Sequence, residues 1–183
     1  MDPCDPVRPS VVGELGYRDD APPWLSVYSD EVHQADAAPY RTRHVELMDG
    51  QPGAVCIALH GELVLLAKLW RPAIGAFSLE FPRGMGEPGE STIETAIREL
   101  REETGVSAVE SSRELGVIYA DSGLLSNSIG VVEIATSEAG LRVGPELTDA
   151  AWLPLAEFTD AIGSGRISDG ITLAAWAIRA ACQ

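Results

Sequence analysis

Three observations predict an α/β fold in which helices cover a mixed sheet. Ser91 and Glu94 form an S-x-x-E capping box, so a helix begins at Thr92, and Gly105 ends it as the residue past the last turn. Short apolar runs at residues 54–59, 62–69 and 129–135 have the length of buried strands, too short for helices. A second helical pattern, residues 171–181, closes the chain. Strands followed by helices that each carry one apolar face call for layers packed on a shared core. A chain of 183 residues is long enough to bury one.

In chain order, residues 1–23 hold Pro3, Pro6, Pro9, Pro22 and Pro23 with little periodicity, and read as a flexible arm that orders against a partner subunit; residues 24–183 read as one domain. Residues 24–32 and 41–47 alternate as an antiparallel strand pair. Asp49-Gly50-Gln51-Pro52-Gly53 breaks that pattern as a turn. The runs 54–59 and 62–69 form a hairpin about His60-Gly61. Residues 77–82 give a strand that stops at Pro82. In the helix opening at Thr92, Ile93, Ala96, Ile97 and Leu100 make one apolar face. Residues 115–119 read as a strand, 120–128 as a loop rich in turn formers, 129–135 as a strand and 136–148 as a glycine-bearing loop. A short strand at 151–155 leads to a helix opening at 156–158, interrupted at Gly163-Ser164-Gly165. The last helix presents Leu173, Trp176, Ala177 and Ala180 as its core stripe.

Charge narrows the function classes. The net charge of −15 argues against binding to nucleic acid or an anionic membrane, whose phosphates it would repel. No run approaches the ~20 apolar residues of a membrane-spanning helix. The N-terminus resembles neither a signal nor a transit peptide, so a cytoplasmic location is expected. Cys4, Cys56 and Cys182 have no metal-like spacing and indicate no disulfide framework; Cys56, in an apolar run, reads as a small core residue.

The chemistry concentrates in residues 84–106. Glu99, Glu102 and Glu103 are neighbours on the helix surface. Carboxylates that close repel one another and raise each other's pKa unless a cation joins them. Arg98, one residue away and assigned to the far side, cannot neutralise all three. Oxygen-only donors of this kind suit Mg²⁺, Mn²⁺ or Ca²⁺ rather than zinc, and few protein ligands beside substrate phosphates are typical of Mg²⁺. An anionic phosphate substrate would need such ions and a few placed arginines to reverse the local sign.

Gly84, five residues, Glu90, seven residues, then Arg98-Glu99-Leu100, Arg101, Glu102-Glu103, Thr104 and Gly105-Val106 resemble the complete Nudix box, G-x5-E-x7-R-E-U-x-E-E-x-G-U with U aliphatic. The resemblance implies an α/β/α sandwich and metal-dependent hydrolysis of a nucleoside diphosphate linked to another group. It implies metal ligands Glu99, Glu102 and Glu103, joined by the backbone carbonyl of Arg83. It makes Arg98 and Glu90 a supporting pair. A base on the late loop is implied too, with Glu146 best placed and Glu138 and Asp149 behind it; Glu102 or Glu103 is the alternative. Leu79-Glu80-Phe81-Pro82 resembles the family's lead-in to the box. Arg71 after the second hairpin strand, Glu80 and Arg83 are the candidate substrate contacts. Arg83 stands where a small residue is usual, so its side chain narrows the pocket or reaches a phosphate.

The N-terminal strand pair, the lead-in and Gly165-x-Ile167-x-Asp169 are most similar to the ADP-ribose and nucleotide-sugar pyrophosphatases. In that group such a strand pair helps build a dimer, which implies a homodimer acting on a small nucleoside diphosphate conjugate with Mg²⁺ or Mn²⁺. Ser122 stands where that group tends to carry proline, so dinucleoside polyphosphates, NADH and modified nucleoside triphosphates stay open. A nucleotide-sensing domain without catalysis is the competing class; such domains usually lose box residues, and this chain keeps them.

Overall fold

A computed structural model describes residues 8–182. The chain divides into two compact units, residues up to 50 together with Asp121–Asn127, and Gln51–Ala120 with Ser128 onward.

The first unit is a three-stranded antiparallel sheet in the order β1 (Ser10–Asp19), β2 (Leu25–His33), β3 (Tyr40–Leu47). The β2–β3 pair matches the expected one and runs in register from Leu25 opposite Leu47 to Val32 opposite Tyr40. Residues 10–19 depart from the expected loose arm; residues 1–7 of that arm lie outside the described residues. The prolines cluster at 9 and before, and at 22 and 23, which leaves residues 10–21 free to donate to a sheet ladder. β1 takes that option against β2, with a bulge between Leu15 and Tyr17. β2 and β3 group with β1 in the first unit. In the loop expected at 120–128, Asn127 brackets Leu47: its Oδ1 accepts from the Leu47 amide and its Nδ2 donates to the Leu47 carbonyl, both at 2.8 Å.

The second unit is a sheet between helices. Its strands are β4 (Gly53–His60), β5 (Leu63–Arg71), β6 (Ala76–Glu80), β7 (Arg83–Met85), β8 (Val109–Ile118), β9 (Ile129–Thr136) and β10 (Asp149–Pro154), with helices α1 (Thr92–Thr104), α2 (Leu155–Gly163) and α3 (Gly170–Ala181). The sheet order is β10-β5-β4-β9-β8, with β6 on β5 and β7 on β4. β4 and β9 are parallel and the remaining pairs antiparallel, so the sheet is mixed. The pleat of β4 sorts its side chains between two cores. Ala54, Cys56 and Ala58 pack with Ala96, Leu100 and Val106 on the α1 side. Val55 and Ile57 pack with Phe158, Ala161 and Ala175 on the other. Each fully buried Val, Ile, Leu or Phe among them contributes roughly 1.5–3 kcal/mol of transfer free energy. Burial pushes the Cys56 thiol pKa up, consistent with a core role.

Two further elements differ from the sequence reading. α3 turns inward on Thr172 and Ala175, with Leu173 and Trp176 half-buried and Ala177 and Ala180 exposed. The cause is Thr172: its hydroxyl oxygen accepts from the buried Phe81 amide at 3.0 Å, which makes a polar residue a core one. β8 begins at Val109, ahead of 115, and two register shifts between 109 and 116 hide its alternation. Among the described residues no helix is long and apolar enough to cross a membrane.

Candidate functional site

The site grows from α1 and the short strand before it. Ser91 Oγ accepts from the Glu94 amide at 3.3 Å, and Glu94 Oε2 accepts from the Ser91 amide at 2.8 Å, so the box caps the helix from both directions. Gly105 ends it in the left-handed region, at φ 75°, with its amide bonded to the Arg101 carbonyl. β7 holds Gly84 opposite Ala54 and Arg83 opposite Val55, so the loop before α1 is anchored to the central strand.

Gly84 has no room for a side chain: a Cβ there would overlap the carboxylate of Glu99. Across α1, the amide of Gly144 donates to the Glu103 carbonyl at 2.6 Å, and a Cβ at Gly144 would lie 2.5 Å from the Glu102 carbonyl oxygen. That contact pins the loop carrying Glu146 against the end of α1.

Arg98 is not remote from the acids. Its Nε donates to Glu90 Oε1 at 2.8 Å and its Nη2 to Glu90 Oε2 at 3.0 Å. Its Nη1 reaches Glu99 Oε1 at 2.8 Å and Glu102 Oε2 at 3.1 Å, and its Nη2 also bonds the Met85 carbonyl at 2.8 Å. The far-side placement is therefore corrected. A long side chain reaches past one residue of helix to the i+1 and i+4 carboxylates. The guanidinium also holds the Glu90 carboxyl down at about 2, helped by the Glu87 amide and the Thr95 hydroxyl. Thr95 was not a sequence candidate; its sole signal is a buried polar side chain on the inner half of the helix.

Glu103 is left out of this arrangement. Its Oε2 is buried with no hydrogen-bond partner among the described residues. Burial first, then the charge of Glu99 and that of Glu146, push its carboxyl up to about 7, against a backbone hydrogen bond from Arg83. Burial likewise raises Glu99, opposed by Arg98 and reinforced by Glu102 and Glu146. Glu146 therefore lies within electrostatic reach of both, although its own side chain is exposed. Glu138 instead accepts from the Ala108 amide at 3.2 Å, and Asp149 from the Ala150 amide at 2.9 Å, so both are occupied by backbone.

A second cluster sits at the ends of β5 and β6. Arg71 makes a forked bond to Glu80, Nε to Oε1 at 2.9 Å and Nη2 to Oε2 at 2.6 Å. Arg83 adds Nε and Nη2 to the same Oε2, at 3.1 and 2.7 Å. Glu80 is only 2% exposed. Burial alone would raise its pKa, but the Arg71 bonds and the Arg83 charge outweigh it and hold the carboxyl at about 2. Asp169, which caps α3 by accepting from the Thr172 amide, lies 3.5 Å from Arg83 Nη2. Arg71 and Arg83 line one cleft of about 200 Å³ with Gly53, Ala54, Gly84, Met85 and Ile129.

Among the described residues no three carboxylate, histidine or cysteine side chains converge into a ready metal shell. The donor set nevertheless suits a hard divalent ion. Glu103 presents an orphaned buried oxygen, Gly84 leaves the Glu99 carboxylate space against the backbone, and burial, reinforced by like charges, raises both acids. Arg98 Nη1 bonds one oxygen each of Glu99 and Glu102.

A sandwich built around a capped acidic helix and a glycine-backed carboxylate defines a class, and comparison identifies it. The NUDIX domain model matches residues 50–172, and the chain belongs to the Nudix family. Over 98 residues it is 42% identical to the ADP-sugar pyrophosphatase of Mus musculus, 52% of this chain and 44% of that protein. Over 71 residues it is 32% identical to the ADP-ribose pyrophosphatase of Saccharomyces cerevisiae, 39% of this chain and 30% of that protein. The matched stretches thus span less than half of either relative. The crystal structure of an ADP compounds hydrolase superposes with a TM-score of 0.78, covering 95% of this chain and 93% of its own, at 18% identity, which speaks to the fold alone.

Proposed function

We propose that this protein hydrolyses the pyrophosphate bond of a nucleoside diphosphate conjugate, with ADP-ribose or an ADP-sugar as the substrate, giving AMP and a sugar phosphate. The observation that carries the reading is the unpartnered buried oxygen of Glu103 beside Glu99 and Glu146. Holding a carboxylate there costs stability, and a divalent cation would offset that cost. The names of the mouse and yeast relatives support the choice of substrate.

Glu99, Glu102, Glu103 and the main-chain carbonyl of Arg83 would hold Mg²⁺ or Mn²⁺. Such an ion supplies charge neutralisation on phosphoryl oxygens and acidifies a bound water. The remaining work falls to the chain. Arg98 keeps Glu90 and the Met85 carbonyl fixed, which sets the loop before α1. Arg71 binds a phosphoryl oxygen of the substrate. Glu146, on a loop pinned to α1 through Gly144, takes the proton of the attacking water on its carboxylate. The exposed Val11, Val12, Leu15 and Tyr17 of β1 support a homodimer built through the first unit.

Incubation with Mg²⁺ and a panel of nucleotide conjugates tests the reading, with released monophosphate as the readout. Turnover of ADP-ribose or ADP-sugars that EDTA abolishes and Mg²⁺ restores is expected. Tight binding of these compounds without turnover would favour a sensing domain instead.

A further inference from the structure

We infer that the Arg83 side chain is a second phosphate-binding group, paired with Arg71 across one diphosphate bridge, and that Glu80 is the positioning residue that sets the two side by side. The inference rests on the proposed reading of the site for its substrate class.

Glu80 Oε2 accepts from Nη2 of Arg71 at 2.6 Å and from Nη2 of Arg83 at 2.7 Å. Two guanidinium groups bonded to one oxygen stand next to each other, whatever the side chains do elsewhere. Each uses its Nε and Nη2 edge on Glu80. Among the described residues Nη1 of neither arginine has a protein acceptor, so two N–H donors on each are free for a ligand.

Placement points the same way. Glu80 and Asp169 balance the two guanidinium charges, Asp169 through Oδ1 at 3.5 Å from Arg83 while its Oδ2 caps α3, so two cations are held side by side at a cleft in a chain of net charge −15. Both arginines are partly exposed on the side chain, 35% for Arg71 and 24% for Arg83, and both line the cleft floored by Gly84. A diphosphate bridge offers anionic oxygens on two adjacent phosphorus atoms, which matches two adjacent forks.

Glu80 supplies what a lone arginine lacks. Without it both side chains would be free to turn towards acids such as Glu103, whose charge Arg71 already feels. Four hydrogen bonds at 2.6–3.1 Å forbid that turn. β7 fixes the Arg83 backbone against β4, so its side chain is removable without moving the carbonyl.

The test measures binding of ADP and of adenosine by calorimetry in EDTA, where no turnover occurs. Arg83→Ala is expected to weaken ADP binding by about 10- to 100-fold, the loss of one or two charge-assisted bonds, and to change adenosine binding by less than twofold. Arg83→Lys, a point charge without a fork, should recover only part of the loss. Glu80→Gln should weaken ADP binding as well, and in the Mg²⁺ assay raise KM with kcat little changed. ADP binding by Arg83→Ala within twofold of the parent protein, or an equal loss for adenosine, would overturn the inference. Should Glu80→Gln fail to fold, the arginine variants decide alone. Because the calorimetric binding measurements need neither metal nor turnover, their outcome is separate from that of the hydrolase reading, which fails only if no conjugate is cleaved.

Discussion

Glu103→Gln should make the metal-free protein more stable at alkaline pH and leave it indifferent to magnesium. Burial, with the charges of Glu99 and Glu146, keeps the Glu103 proton up to about 7 where an ordinary glutamate loses it at 4.5. The unfolded chain therefore releases this proton first. Stability is undiminished below 4.5, falls as pH rises from there through 7, and the full cost of the ionised group is present above 7. At 1.36 kcal/mol for each tenfold difference in proton affinity, that cost reaches about 3 kcal/mol at pH 8.5 and drops below about 0.5 kcal/mol at pH 4.5. Glutamine has the same shape, its carbonyl can keep the Arg83 amide bond, and it carries no charge to bury. Urea denaturation in EDTA at the two pH values checks the magnitude. The variant should exceed the parent by about 3 kcal/mol at pH 8.5 and match it at pH 4.5. Adding Mg²⁺ should raise the melting temperature of the parent by mass action and not that of the variant. A variant no more stable than the parent at pH 8.5, or one that still gains from Mg²⁺ as the parent does, would refute the reasoning.

Four other outcomes are expected. Arg98→Lys loses the forked bond to Glu90 and the reach to Glu99, Glu102 and the Met85 carbonyl; thermal denaturation should show a loss of about 2 kcal/mol. Thr172→Val leaves the buried Phe81 amide without an acceptor and should cost about 1–3 kcal/mol in chemical denaturation, although valine matches threonine in volume. Glu146→Gln should lower kcat by about tenfold or more with KM little changed, read by monophosphate release. Gly144→Ala places a Cβ 2.5 Å from the Glu102 carbonyl and must shift the loop, so kcat should fall while urea stability changes by less than about 1 kcal/mol.

Legibility in the sequence followed how local each cause was. α1 was readable to the residue because its start and stop lie in its own side chains, Ser91, Glu94 and Gly105. The β4–β5 hairpin was readable because both strands are buried on two faces and broken by His60-Gly61. β1 was hidden because every one of its residues is exposed, so burial imposes no alternation on it. β7 has three residues and owes its existence to β4. The acids of the box were legible as a set. Their sharing out was not, because it depends on where the Arg98 side chain travels. The Glu80 hub was likewise invisible: a hairpin and a three-residue strand bring Arg71, Glu80 and Arg83 together, and no spacing rule encodes that meeting.

The two guanidinium systems do different work on one acidic surface. Arg98 bonds Glu90 through two nitrogens and the Met85 carbonyl through one, and reaches Glu99 and Glu102 only through Nη1. If Glu99 and Glu102 turn to share a cation with Glu103, Arg98 keeps its other three bonds and stays paired. The exchange then trades one nitrogen's contacts for an ion and gives the orphaned Glu103 oxygen a partner. A lysine at position 98 has no fork with which to hold Glu90 and the Met85 carbonyl while it also reaches Glu99 and Glu102. An arginine bound through its far edge is thus what allows Glu99 and Glu102 to be paired when empty and to turn without unfolding the loop that Gly84 and Glu90 hold.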